Sequence, residues 1–150
     1  MKTIIIAFLS ILSVTVTSCS KNDEINEITL ELSNLEKQDL IFLREEEKLA
    51  RDTYTFLGDL WAINQFNNIK QSEQTHMNAI VNLLENNDIQ YTILPYGEFN
   101  NQELQALYDE FKTHGATSNA NALQIGATIE DLVIVDLQYF IDMMSYSSLV

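Results

Sequence analysis

Apolar residues recur at three- and four-residue intervals through most of this chain, and sustained alternation is absent, so the pattern predicts helices and no sheet. From about Leu35 to Trp61 the apolar seam reads Leu40, Leu43, Glu47, Ala50, Tyr54, Leu57, Trp61. A second stripe, Phe42, Leu49, Phe56 and Leu60, widens the buried face to the breadth of a bundle helix. From about Asn64 to Asn86 the seam reads Phe66, Ile69, Glu73, His76, Ile80, Leu83, and Asn86-Asn87-Asp88 stops the helix. A loop holding Pro95 and Gly97 leads to a short helix, Gln102 to His114, capped by Asn100 or Asn101 and closed by Gly115. Its seam of Leu104, Leu107, Tyr108 and Phe111 carries no charge and reads as packing. Thr117, Ser118 and Asn119 offer the next cap. A long apolar helix then runs to about Met144 on the seam Leu123, Gly126, Glu130, Val133, Leu137, Phe140, Met144.

One proline and four glycines in 150 residues agree with an all-α chain. The start reads differently. Lys2 precedes an apolar run, Ile4 to Val16, with the length of a signal-peptide core and too short to span a bilayer comfortably. Val16-Thr17-Ser18-Cys19 resembles a lipobox, which makes residues 1–18 a lipoprotein signal peptide and Cys19 the lipidated first residue. Cys19 is the only cysteine, so no intramolecular disulfide can form. Residues 19–34 read as an acidic tether, and 35–150 as a single domain. The expectation is an exported bacterial lipoprotein held in the cell envelope, touching the membrane through its lipid only. Without Lys2, seven basic residues face 22 acidic ones, which disfavours nucleic acid and an anionic membrane surface as partners.

Each long helix places an acid in the middle of its most apolar seam: Glu47, Glu73 and Glu130. His76 follows Glu73 by three residues, on the same face. A single seam glutamate is most often a boundary residue whose carboxylate reaches water. Three at matching depths demand compensation, because burying unpaired carboxylates together costs several kcal/mol or forces protonation. Lys48 and Arg51 cannot neutralise all three. Divalent ions can, and carboxylates with an imidazole suit iron or manganese. Glu46 and Asp131 are the substitutes if either register slips by one, Asp131 also being placed to orient a ligand histidine. Tyr54 lies two turns from Glu47, within reach to donate a hydrogen bond or be oxidised, though core filling explains it better. Arg51 pairs with a carboxylate at the bundle edge. Gly126, one turn before Glu130, leaves room for a bridging oxygen or allows close helix packing.

These residues resemble those of ferritin-like di-iron bundles, whose ligands are a Glu from each of two helices and Glu-x-x-His from each of the other two. Glu47 with Arg51 and Tyr54 is similar to the rubrerythrin-type run, Glu73 to His76 supplies one Glu-x-x-His, and Glu130 stands at the second single Glu. More closely, residues 43–52, 72–77 and 125–132, with 101–108 as a spacer helix, resemble the ferritin-like family catalogued as domain of unknown function 2202. The resemblance spans roughly Leu35 to Ile141. It implies an up-down ferritin-like bundle with three long helices, a short spacer, and a fourth long helix carrying the remaining histidine motif.

No such helix follows before Val150. His114, the only other histidine, has no carboxylate three residues before it and reads as a surface cap residue. The expectation is therefore a chain cut short before its fourth helix, or one that completes its site by forming a homodimer. The resemblance implies a di-iron oxidoreductase that oxidises ferrous iron or reduces peroxide or oxygen, with an incomplete iron site here and an unnamed electron donor. Its rivals are a non-enzymatic, lipid-anchored module that binds metal or a partner, and an inactive product.

Overall fold

The computed structural model describes the backbone of residues 32–147 and side chains through residue 143. The expected signal peptide, Cys19 and nearly all of the tether lie outside the described residues. Within them the chain forms four helices and no strand: α1 (Asn34–Trp61), α2 (Asn64–Asn86), α3 (Gln102–Gly115) and α4 (Asn119–Ser147). None is long and apolar enough to cross a membrane.

Local chemistry places each start. Ser33 and Glu36 form a capping box: Ser33 Oγ accepts from the Glu36 N–H while the Glu36 carboxylate accepts from the Ser33 N–H. This box stands in the sequence as Ser-x-x-Glu, inside what reads as tether. The Asn101 side chain accepts from the N–H groups of Glu103 and Leu104, and Ser118 Oγ accepts from Asn121. The helices fold into a bundle in which α2 lies along α1, and α3 and α4 pack on α1 and on each other. Tyr54, Leu57, Phe66, Phe99, Tyr108, Phe111, Ile125 and Ile129 meet at the centre.

The short α3 is a full member of this bundle, burying Leu104, Tyr108 and Phe111. The bundle thus has four helices, and the reading of a chain truncated before its last helix is not supported. Two seams also depart by one residue from their predicted register over part of their length, Phe66, Glu73 and Gly126 being buried as expected. In α2 the buried face is Phe66, Glu73, Met77 and Leu84, leaving Leu83 exposed; in α4 it is Ala122, Ile125, Gly126 and Ile129, leaving Leu123 and Leu137 exposed. Helix α4 is apolar nearly all round, so its sequence does not distinguish the face that meets α1 from the face beside it.

Gly115 marks the tightest approach at the end of α3. A Cβ there would sit 2.6 Å from a Leu57 methyl, and its carbonyl accepts from the Trp61 indole. Gly115→Ala should lower stability by about 1–3 kcal/mol through overpacking, read as a reduced thermal midpoint. An unchanged midpoint would show that Leu57 gives way freely.

Candidate metal centre

Helix α1 is buried on all sides from Leu43 to Ala50, so its run of charged residues must be matched locally. Successive side chains point about 100° apart, and each charge meets a different neighbour. Glu45 accepts from the backbone N–H groups of Asn100 and Asn101 and from the Asn100 amide. Lys48 donates to Asp52 (2.7 Å) and to the carbonyls of Pro95 and Glu98, and it lies over the Phe99 ring. Asp52 also accepts from Arg51 and from the N–H of Gly97, which occupies a left-handed turn at φ 77°. These contacts clamp the loop between α2 and α3 onto α1. Arg51, expected at a carboxylate on the bundle edge, is spent on Asp52 and Gln74.

Glu47 points the other way, towards α2. Its carboxyl touches that of Glu73, and His76 Nδ1 lies 3.2 Å from Glu73 Oε2 and 3.4 Å from Glu47 Oε2. One ligating atom from each of the three lies within 4.8 Å of the others. Glu47 and Glu73 are buried, whereas the His76 ring is half exposed and closes the group from the solvent side. The buried Glu47 Oε2 has no hydrogen-bond partner. Burial pushes the Glu47 carboxyl up to about 9, helped by its contact with Glu73 and by repulsion from Glu73 and Glu130.

Glu130 reaches the same cavity of about 370 Å³ from α4, where Ile80, Val133, Ile134 and Leu137 form apolar walls. It stands at the edge, exposed, and is held by Tyr54, whose hydroxyl donates to Glu130 Oε1 at 2.5 Å and lies 3.0 Å from the Gly126 carbonyl. Tyr54 is wholly buried, and burial beside Glu130 raises its pKa, so it remains a neutral donor. No lysine or arginine lines this cavity among the described residues. The donor set fits a divalent ion: two buried carboxylates, one with an orphaned oxygen, an imidazole across from them, and a third carboxylate, Glu130, at the cavity edge.

Three sequence expectations land elsewhere. Glu46 faces α4 and meets Asp136, a rotation of one residue away from the Glu47 cluster. Asp131 is exposed and does not line the cavity of the cluster. Gly126 leaves no vacant space, because a Cβ there would meet Phe66 at 3.0 Å and Tyr54 at 3.4 Å; it serves close packing. His114 is exposed beside Gly115, as expected for a surface cap residue.

The geometry defines an all-α, four-helix bundle with a Glu/Glu/His group able to hold a metal. The chain belongs to the DUF2202 family, described as an uncharacterised protein domain, whose model matches residues 36–149. It is 45% identical over 113 residues to the uncharacterised protein MJ0754 of Methanocaldococcus jannaschii, over 74% of this chain and 61% of that protein. The crystal structure of hypothetical protein MJ0754 matches with a TM-score of 0.73, covering 75% of this chain and 65% of that one. The chain thus spans less than two thirds of this relative's length.

Proposed function

We propose that the protein is a ferritin-like, divalent-metal-binding bundle with iron as its native metal and manganese as a substitute. The observation that carries this reading is the buried Glu47 Oε2, without a hydrogen-bond partner, facing Glu73 and His76 in a cavity that no lysine or arginine lines among the described residues. Two carboxylates would neutralise a divalent ion, and the imidazole would add the nitrogen ligand that favours iron or manganese over calcium. Tyr54 would hold Glu130 at the edge until a charge in the cluster draws that carboxylate inward. Bound iron would supply the oxidation of ferrous ion by oxygen or peroxide. The expected signal peptide and Cys19 extend the proposal to an envelope-anchored protein.

The test is metal titration of the purified protein under anaerobic conditions, followed by oxygen uptake. The expected result is at least one Fe(II) per chain, with affinity reduced about tenfold or more in both Glu73→Gln and His76→Ala. Oxygen consumption coupled to iron oxidation would support the enzyme over a passive binding module. Equal iron binding by the wild type and both variants would sink the assignment.

A second copy of the chain is proposed as the partner over the open side of the cluster. Ile134, Val135, Leu137 and Tyr139 expose an apolar surface on α4 beside that cavity, more than a scattering of single residues. Sedimentation should then show a dimer, and a strict monomer at high concentration with iron present would exclude it.

A further inference from the structure

A second group of acids lies one residue's rotation round α1, on the side facing α3 and α4, and takes no part in the Glu47 cluster. Glu46 is only 5% exposed, and its Oε2 is buried without a hydrogen-bond partner. It points into a cavity of about 430 Å³ between α1, α3 and α4, walled by Phe42, Leu104, Leu107 and Leu132. Asp136 of α4 lines the same cavity, with its carboxyl beside that of Glu46. Glu103 and Glu110 stand on the α3 side, and among the described residues no lysine or arginine lines the space. Two carboxylates side by side repel one another unless positive charge lies between them, and no described donor reaches the buried Glu46 oxygen.

The environment repeats one step along the groove. Asp136 also borders an adjoining cavity of about 210 Å³, together with Asp39. The Asp39 Oδ2 is likewise buried and unpartnered. Asp39 and Glu46 are seven residues apart, two turns along one stripe of α1, so Asp136 lies opposite a stretch of helix with two orphaned carboxylate oxygens.

We propose that Glu46 and Asp136 form a second cation site, separate from the Glu47 cluster, for a divalent ion that prefers oxygen ligands. With no nitrogen or sulfur donor among the described residues of the cavity, the site suits calcium or manganese, waters completing the coordination shell in the open volume. The ion bridges α1 to α4 and supplies the positive charge that the lining of this cavity lacks. Its role is to lock α4 onto α1 on the side facing α3. The inference does not rest on iron binding at Glu47, Glu73 and His76.

The test uses the full chain carrying Glu73→Gln and His76→Ala, which disables the first cluster while leaving Glu46 and Asp136 intact. Titration with calcium chloride by calorimetry, and with Mn(II) alone by electron paramagnetic resonance, should show one ion per chain. Adding Glu46→Gln, or separately Asp136→Asn, should weaken that binding at least tenfold. Both changes keep side-chain volume and remove a like charge, and circular dichroism checks that each variant is folded. Absence of calcium and manganese binding in the parent variant overturns the site. Binding left unchanged by either further substitution also overturns it, because the surface acids Glu103 and Glu110 would then account for the uptake.

Discussion

Replacing Lys48 with methionine should destabilise the protein by about 3–5 kcal/mol, a large part of the 5–15 kcal/mol that holds a typical domain together. Lys48 is wholly buried, and its ammonium is the shared donor for Asp52 and the carbonyls of Pro95 and Glu98. Methionine keeps the length and apolar character of the stem but provides no donor. Asp52 keeps its bonds from Arg51 and Gly97, whereas the two loop carbonyls lose the partner that ties them to α1. The loop between α2 and α3 should consequently become sensitive to proteolysis near Pro95 before the helices unfold. Urea denaturation gives the free energy, and limited digestion gives the order of events. A loss below about 1 kcal/mol would mean that the clamp is not a principal support of the fold.

Without metal, the protein should become less stable as pH rises from about 5 to about 9, the reverse of ordinary acid denaturation. Burial holds both Glu46 and Glu47 up at about 9, Glu46 with help from Asp136 and Glu47 with help from Glu73. An unfolded glutamate loses its proton near 4.3. Between these values the folded state binds more protons than the unfolded state, so stability falls with each unit of pH. The contribution is fully present below the unfolded pKa and is gone above about 9. Allowing for water entry and local rearrangement, the expected loss is on the order of 2–3 kcal/mol. A divalent ion should remove this slope, because metal binding takes the place of the retained protons and strengthens as carboxylates ionise. Thermal midpoints across the pH range, with chelator and with Fe(II) or Mn(II), make the comparison. Midpoints that rise with pH in chelator would contradict the picture of two protonated, buried carboxyls.

The candidate site was legible to an unusual depth because burying a charge is expensive. Glu47 and Glu73 interrupt seams that are otherwise apolar, and His76 sits one turn from Glu73, so the three could be named before their contacts were known. The structure brings them together as a group. Glu130 joins the same cavity, though at its rim and engaged with Tyr54. Glu46 was harder to place. It shares a buried stretch of α1 with Glu45 and Glu47, and only the positions of the loop and of α4 reveal that the three glutamates serve three different neighbours. The clamp on the loop was visible in one part only. Lys48 and Asp52 stand four apart on one helix face, but the carbonyls that complete the network lie 47 and 50 residues from Lys48.

By itself the sequence determined where the helices lie: period, caps and breakers are local, and each observed boundary falls within a few residues of its prediction. It also determined which acids would be costly to bury, since that cost follows from the apolar residues on either side. Tertiary structure decided which way α4 faces, because a helix that is apolar nearly all round carries no rotational signal of its own. It decided that α3 is a packed member of the bundle and that Gly126 makes room for Phe66 and Tyr54. Above all it divided three consecutive glutamates among a loop, a metal-type cluster and a second acidic cavity. Each of those destinations depends on a partner dozens of residues away, and pairing over that distance is set by packing, not by any local pattern.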